Sequence, residues 1–264
     1  MIYIRSTLFN IVWYVNIIVQ MVVQTPFYFF LSHKQAVKVP KRWANSTHWF
    51  HKVLVGTHME VEGLENIPEG GCIMASKHQS IWEFYTIYAL VPDGAFVLKS
   101  ELMKIPFFGW FVGKLVHIPI RRGEKGVAMR RMIRDAAVEI EKNRQIIIFP
   151  EGTRRSPGAE PNYRYGITRL YMDLNAPVVP IALNSGLYWP RRKFIRRPGT
   201  IRIKFLEPIQ PGLSAEAFSE ELERRIEEAC DELYWRASQD EVSPPLSKAV
   251  RARIAVHEER MKQK

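Results

Sequence analysis

The sequence predicts an α/β protein whose mostly parallel sheet is flanked by helices and preceded by a hydrophobic, membrane-associated helical segment. From residue 57 onwards, short apolar runs alternate with helical patterns, a βαβα order typical of a parallel sheet covered on both faces. Most of these runs are apolar throughout, as expected for strands that are buried on both sides. Residues 6–33 contain no Lys, Arg, Asp or Glu, which sets the N-terminal segment apart.

The N-terminal segment is rich in Ile, Val and aromatic residues from Leu8 to Leu31, and is long enough to cross or enter a bilayer that requires about 20 helical residues. A cleaved signal peptide is disfavoured because no small-x-small cleavage site is evident, and a buried core helix of this length would be unusual. Three amides recur at a spacing of four and form one polar stripe on a helix, and a proline would kink or end that helix. These residues are Asn16, Gln20, Gln24 and Pro26. We therefore expect a helix that lies in one leaflet rather than a simple span.

Four basic residues follow this segment at once: Lys34, Lys38, Lys41 and Arg42. By the positive-inside bias they place the rest of the chain on the cytoplasmic face of the inner or plasma membrane. An amphipathic helix is predicted next, from about Pro40 to Gly56. We expect three parts in the chain: a membrane-associated region at 1–56, a main domain at 57–240, and a basic tail at 241–264 that is either a surface helix or partly disordered.

Within the main domain, seven strands are predicted from their apolar runs: Met59–Glu62, Cys72–Ala75, Ala95–Leu98, Val116–Ile120, Gln145–Phe149, Val178–Leu183 and Ile201–Phe205. Helical patterns lie between them at Ile81–Leu90, Lys125–Lys142 and Tyr163–Leu174. Apolar residues also recur at helical spacing between Phe218 and Leu233, so a helix is expected after the last strand.

The composition limits the classes of function. The 264 residues carry a formal charge of +11, which implies an anionic partner: nucleic acid, a lipid surface or a phosphorylated substrate. Cys72 and Cys230 are far apart and predict packed thiols rather than a zinc site or a disulfide framework. The sequence has no Gly-x-Gly-x-x-Gly, P-loop or Gly-x-Ser-x-Gly motif, which disfavours dinucleotide enzymes, nucleotide hydrolases and serine hydrolases.

His78 follows the predicted strand at 72–75, where a parallel sheet presents its functional loops. Glu83 supplies a carboxylate five residues later. On one continuous helix these side chains would point about 140° apart, so they can meet only if His78 lies in the loop before the helix. A carboxylate on one imidazole nitrogen would fix the tautomer and support proton uptake at the other. The spacing alone favours an ordinary surface or core histidine.

A second motif, Phe149-Pro-Glu-Gly-Thr-Arg-Arg155, follows the most apolar predicted strand. Pro150 and Gly152 end that strand and favour a tight loop. The loop would present hydroxyl and guanidinium donors suited to phosphate, although a plain turn with solvated arginines fits the composition as well. A third, aromatic-rich stretch runs from Lys99 through Gly109 to Arg121 and Arg122.

In this order, the motifs resemble those of the glycerolipid acyltransferase family that includes the 1-acylglycerol-3-phosphate acyltransferases. That family carries His-x4-Asp, a Gly-bearing segment that ends in Arg, Phe-Pro-Glu-Gly-Thr-Arg, and a Val-Pro-hydrophobic strand. The corresponding segments here are His78–Glu83, Gly109–Arg122, Phe149–Arg154 and Val179–Ile181. Two departures stand out: Glu83 replaces the more usual Asp, and Arg121 occupies a position where the family commonly has Asp.

The resemblance implies direct transfer of a fatty acyl group from acyl-CoA or acyl-carrier protein to the free hydroxyl of 1-acyl-sn-glycerol 3-phosphate, giving phosphatidic acid. His78 would be the general base and Glu83 its orienting group. The glycerol phosphate would be held by Arg122, Glu151, Gly152, Thr153 and Arg154. Neither a metal nor a cofactor is implied.

The expected partners are therefore a lysophospholipid, an acyl thioester and a membrane surface, with acyl-carrier protein as one candidate donor. The basic run Arg191–Arg197 is read as a lipid-facing or carrier-facing patch, or equally as a solvated loop. No nucleic-acid motif accompanies it, so no nucleic-acid partner is expected. Two alternatives stay open: an acyltransferase for another lysolipid, such as an amino-acid-based one, and a noncatalytic protein that binds anionic lipids.

Overall fold

The protein, described from a computed structural model, is defined over residues 1–120 and 125–263. Its helices are α1 (Ile2–Tyr28), α2 (His33–Phe50), α3 (Trp82–Leu90), α4 (Phe108–Lys114), α5 (Lys125–Glu141), α6 (Tyr165–Leu174), α7 (Ser185–Tyr188), α8 (Ala215–Gln239) and α9 (Lys248–Lys262). Its strands are β1 (Thr57–Glu62), β2 (Cys72–Ser76), β3 (Gly94–Lys99), β4 (Ile118–Ile120), β5 (Gln145–Ile148), β6 (Val178–Leu183) and β7 (Gly199–Phe205). A π-helical turn, His51–Val55, extends α2, and short 3₁₀ turns lie at Leu64–Asn66 and Ser100–Lys104.

The seven strands form one sheet in the order β1-β7-β6-β2-β5-β3-β4. Every pairing is parallel except that between β6 and β7. The predicted α/β class with a mostly parallel sheet is thus confirmed. Strands β2, β5 and β6 are completely buried, which explains why their sequences are almost entirely apolar.

Strand β2 lies at the centre of the sheet, between β5 and β6. Because these three strands are parallel, the loops that follow them leave from the same edge. Those loops contain His78, Glu151 and Ser185. The strand order therefore brings together residues that lie more than 100 positions apart in the sequence, as the contact between Ser185 and Glu83 shows.

The N-terminal segment is a single helix of 27 residues that is long and apolar enough to cross a membrane. Its predicted polar stripe packs against α2: Asn16 and Gln20 each donate to the hydroxyl of Ser46, both at 3.0 Å. Pro26 lies in the last turn, so it coincides with the end of the helix rather than with a kink in its middle. The opposite face leaves a row of large apolar side chains exposed, among them Ile11, Val15, Val19 and Val22.

The amphipathic helix begins earlier than the predicted Pro40. Helix α2 starts at His33, where the side chain of Gln35 accepts a hydrogen bond from the backbone N–H of Ser32 at 3.0 Å and closes the first turn. Pro40 lies inside the helix. A local cap therefore determines the start of this helix.

The tail after residue 245 contains a surface helix, one of the two forms expected for it. Ser247 caps α9 by accepting a hydrogen bond from the N–H of Val250 at 3.2 Å. Arg253 then ties the helix to Asp231 of α8, with 2.6 Å between Nε and the carboxylate. Asp231 is completely buried, so this ion pair fixes α9 against the main domain.

Candidate active site

His78 and Glu83 meet at the carboxyl end of β2. Helix α3 begins only at Trp82, so His78 lies in the loop that precedes it, as their contact requires. The Nδ1 atom of His78 is 2.9 Å from Oε1 of Glu83. The imidazole also stacks on Phe149, with ring centroids 3.9 Å apart, and 16% of the His78 side chain is exposed. The ring is therefore held on one nitrogen and one face while it remains accessible from outside.

Glu83 is completely buried and organises the loop between β2 and α3. Its Oε1 accepts hydrogen bonds from the backbone N–H groups of Gln79 and Ser80, both at 2.6 Å. Its Oε2 accepts one from the hydroxyl of Ser185 at 2.7 Å. Both carboxylate oxygens are thus satisfied by donors, and the oxygen that accepts from the loop also holds the imidazole. The glutamate side chain is longer than the aspartate that is more usual at this position, and its single carboxylate contacts the loop, the histidine and α7.

The loop after β5 packs directly on this pair. The backbone N–H of Arg155 donates to the carbonyl of His78 at 2.8 Å. Gly152 has a φ of +63°, a left-handed conformation that glycine adopts without strain. Thr153 and Arg154 are half-buried in this loop. The structure therefore brings Gly152, Thr153 and Arg154 close to His78, whereas Arg122 lies outside the described residues.

Glu151 is buried and faces the interior of the protein. Its Oε1 lies 3.1 Å from Nζ of Lys77, and the same ammonium lies 2.7 Å from Oε1 of Glu227 in α8. Tyr163 donates a further hydrogen bond to Glu227 at 3.0 Å. The residue next to His78 is thus a buried cation that joins the loop after β2, the loop after β5 and helix α8.

The charges in this buried cluster stabilise one another. Burial alone would lower the pKa of Lys77, but the carboxylates of Glu227 and Glu151, together with the nearby Cys230, raise it above its ordinary value. Burial raises the pKa of Glu151, and Lys77 opposes that rise only in part. Removing the cation would therefore leave Glu151 and Glu227 with only the more distant Arg155, at 3.9 Å, and Arg253, at 3.6 Å.

The sequence analysis did not identify Lys77 or Ser185. Lys77 directly follows a completely buried strand, and a lysine at such a position is a signal for a paired buried charge. Ser185 follows β6, and it lies close to Glu83 only because β2 and β6 are neighbours in the sheet. Among the described residues, no group of three or more His, Cys, Asp or Glu side chains is arranged to hold a metal ion.

An apolar cavity of about 100 Å³ lies beside the site, between α1, α2, α3 and α4. A more open apolar groove of about 510 Å³ adjoins it at the surface. Both are lined by Ile17, Met21 and Phe108, so the cavity and the groove are neighbours. His117 lines the inner cavity, where its Nδ1 accepts a hydrogen bond from the N–H of Phe96 at 2.9 Å.

Comparison with known proteins agrees with this architecture. Residues 58–184 match the model of the family described as Acyltransferase. A 1-acyl-sn-glycerol-3-phosphate acyltransferase of Pseudomonas aeruginosa is 38% identical over 178 residues, which cover 67% of this chain and 68% of that protein. The chloroplastic 1-acyl-sn-glycerol-3-phosphate acyltransferase BAT2 of Brassica napus is 28% identical, over 72% of this chain and 55% of that protein. The crystal structure of the 1-acyl-sn-glycerophosphate (LPA) acyltransferase PlsC from Thermotoga maritima superposes with a TM-score of 0.75 and 26% identity, covering 88% of this chain and 98% of that chain.

Proposed function

The chain belongs to the glycerolipid acyltransferase family, and we propose that it transfers a fatty acyl group from a thioester donor to the free hydroxyl of 1-acyl-sn-glycerol 3-phosphate, giving phosphatidic acid. The donor is acyl-CoA or acyl-carrier protein. The observation that carries this proposal is the contact of 2.9 Å between Nδ1 of His78 and the buried carboxylate of Glu83. The names of the similar proteins from bacteria and plants support the choice of acceptor.

In the proposed mechanism, Nε2 of His78 removes the proton from the acceptor hydroxyl as its oxygen attacks the thioester carbonyl. Glu83 holds the Nδ1–H and stabilises the imidazolium that forms. Collapse of the tetrahedral intermediate breaks the carbon–sulfur bond, and the imidazolium returns its proton to the departing thiolate. The products are an ester and a free thiol, and no protein nucleophile is required.

We propose that the glycerol phosphate is held by the loop after β5 together with Arg122. Thr153 and Arg154 supply a hydroxyl and a guanidinium, and the left-handed conformation of Gly152 shapes the loop. The carboxylate of Glu151 is paired with Lys77, so it contributes by fixing this loop. Holding the phosphate positions the hydroxyl at His78 and reduces the entropic cost of the reaction.

The acyl chains occupy the apolar space between α1 and α4 in this proposal. The cavity and the groove share Ile17, Met21 and Phe108, and together they offer an apolar path for these chains. Burial of methylene groups there is favourable by about 0.8 kcal/mol for each group. The path is bordered by α1, whose exposed apolar face is suited to the lipid that supplies these chains.

We propose that α1 lies in one leaflet on the cytoplasmic side of the membrane, with residues 1–56 as the anchor. The exposed row that includes Val15, Val19 and Val22 supports embedding, whereas Phe9 on another face is completely buried in the protein core. Deletion of the helix would therefore damage the fold. A cleaner test replaces Val15 and Val19 with glutamate and measures flotation with vesicles, which should fall strongly; unchanged flotation would refute the anchor.

The acceptor and donor are tested with purified protein in detergent. Lysophosphatidic acid, lysophosphatidylcholine and an amino-acid-based lysolipid are each supplied with acyl-CoA or acyl-carrier protein, and the acylated product is identified by mass spectrometry. The proposal predicts phosphatidic acid as the main product and none with His78→Ala. Faster acylation of another lysolipid would reassign the acceptor, and the absence of any product would favour a lipid-binding role.

A further inference from the structure

The basic run Arg191–Arg197 is neither a uniform patch nor a solvated loop. Arg196 is buried and stacks on Trp189, with its guanidinium carbon 4.5 Å from the ring centroid. It also donates to the backbone carbonyls of Lys193 and Phe194 at 2.6 and 3.2 Å. Arg196 therefore stabilises the turn from its buried side, whereas Arg192 and Lys193 are exposed.

Arg191 reaches in the opposite direction, into the loop after β5. Its Nη1 donates to the carbonyl of Arg154 at 2.8 Å, and its Nε is buried without a hydrogen-bond partner among the described residues. The next residue of that loop, Arg155, donates through its backbone to the carbonyl of His78 at 2.8 Å. The segment that carries Arg191 also contains Ser185, which donates to Glu83. The turn is thus attached to both members of the His78–Glu83 pair.

Three arginines lie near one another here: Arg154, Arg191, which donates to the carbonyl of Arg154, and the adjacent Arg192. Over residues 1–120 and 125–263, no Asp or Glu carboxylate lies within ion-pairing distance of Arg154, Arg191 or Arg192. Burial lowers the pKa of Arg154 and the charge of Arg191 lowers it further; Glu83 opposes this, and Arg192 adds the smallest lowering effect. Like charges that are held together by the fold in this way favour an anionic ligand.

The same turn is fixed to the membrane helix. Asn10 of α1 donates to the carbonyl of Phe194 at 3.0 Å, and the hydroxyl of Ser6 accepts from the N–H of Arg196 at 2.9 Å. Phe194 itself is 52% exposed, in continuity with the apolar surface of α1. A lipid head group that enters beside α1 would therefore meet the arginines of this turn on its way to His78.

We propose that Arg191 and Arg192, together with Arg154, bind the phosphate monoester of the lysolipid acceptor; this rests on the proposed function. A phosphate monoester carries a charge of about −1.5 to −2 at pH 7, and guanidinium groups bind its oxygens with directional, charge-assisted hydrogen bonds. The phosphate of the acceptor is only a few covalent bonds from the hydroxyl that must lie at His78. The phosphates of the donor are separated from its thioester by the whole pantetheine arm, so they do not fit a cluster attached to the His78–Glu83 pair.

The test compares Arg191→Gln and Arg192→Gln with a matched control, Lys193→Gln, which removes one positive charge from the same turn. Arg192 is exposed and makes no hydrogen bond within the described structure, so its variant is expected to fold even if Arg191→Gln disturbs the loop. Loss of a charge-assisted hydrogen bond predicts a rise of about tenfold or more in KM for lysophosphatidic acid. The KM for the donor and the kinetics of Lys193→Gln should stay within about twofold of the wild type.

Two outcomes would overturn the proposal: Arg192→Gln that behaves as Lys193→Gln does, or a rise in KM for the donor instead of the acceptor. Binding of lysophosphatidic acid without donor, followed by Trp fluorescence in detergent, separates this inference from the proposed reaction. If the wild type formed no phosphatidic acid, the proposed function would fail. Weaker binding by Arg192→Gln than by Lys193→Gln would then still support the phosphate site, and equal binding would refute it.

Discussion

Replacing Lys77 with methionine removes the only cation that contacts both Glu151 and Glu227 in the described structure. The Lys77 side chain is only 2% exposed, and that of Glu151 only 1%, so water cannot replace the ammonium. Breaking a buried ion pair from one side costs about 3–5 kcal/mol, because the remaining charge is left uncompensated. We therefore expect the free energy of unfolding to fall by about that amount.

Thermal unfolding in detergent, followed by circular dichroism, measures this loss. At about 2–4 °C for each kcal/mol, the Tm of Lys77→Met should fall by about 6–20 °C. Lys142→Met is the matched control: Lys142 also pairs with a glutamate, at 2.8 Å, but its side chain is 56% exposed. Water can replace this exposed ammonium, and Glu139 keeps its ion pair with Arg144, so the control should lose only about 0–1 kcal/mol.

The pH dependence of Lys77→Met provides a second readout. Burial raises the pKa of Glu151, so the folded state takes up protons on acidification more readily than the unfolded state. Without Lys77 this preference increases, because the ionised carboxylate of Glu151 loses the cation that partly offset the cost of its burial. The loss of stability should therefore be largest near pH 8 and shrink towards pH 5. A loss below about 1 kcal/mol at pH 8, or one that grows in acid, would refute the role given to this buried cluster.

Two further predictions concern Glu83 and the inner cavity. Ser185→Ala removes the hydroxyl that donates to Glu83 at 2.7 Å; we expect kcat to fall by about tenfold with little change in KM, and an unchanged kcat would contradict a positioning role. Burial lowers the pKa of His117 from 6.5 to about 3, so the unfolded state binds more protons between these values and stability falls as the pH decreases below 6.5. At pH 5 this group accounts for about 2 kcal/mol, and His117→Asn, whose oxygen can accept from the N–H of Phe96 without titrating, should reduce the pH dependence measured by chemical denaturation by about that amount.

The class of fold was predictable because its main signal is local. Strands such as Cys72–Ser76 and Val178–Leu183 are buried on both faces, so their sequences are almost entirely apolar. The order of the strands, including the antiparallel pairing of β6 and β7, depends on contacts between distant segments. Likewise, the polar stripe on α1 was visible in the sequence, but its partner Ser46 on α2 was not.

The candidate site likewise combines a local contact that the sequence indicates with long-range contacts that it does not. The pairing of His78 with Glu83 was predicted from the resemblance of this motif to that of the family, and the turn before α3 allows the contact. Ser185 could not, since it approaches Glu83 only through the adjacency of β2 and β6. The composition of the basic run at 191–197 also does not show which arginines are buried. Arg196 turns inward against Trp189, and Arg191 turns towards the loop after β5.

The catalytic assignment is tested most directly by the rate of acyl transfer in a single turnover, with wild type and His78→Ala each saturated with lysophosphatidic acid and acyl-CoA in detergent. General-base catalysis of this kind contributes about 100- to 10,000-fold. His78→Ala should therefore be slower by at least about 100-fold while its Tm and its binding of lysophosphatidic acid are retained. Transfer at the wild-type rate by a folded His78→Ala protein would contradict the assignment of His78 as the base.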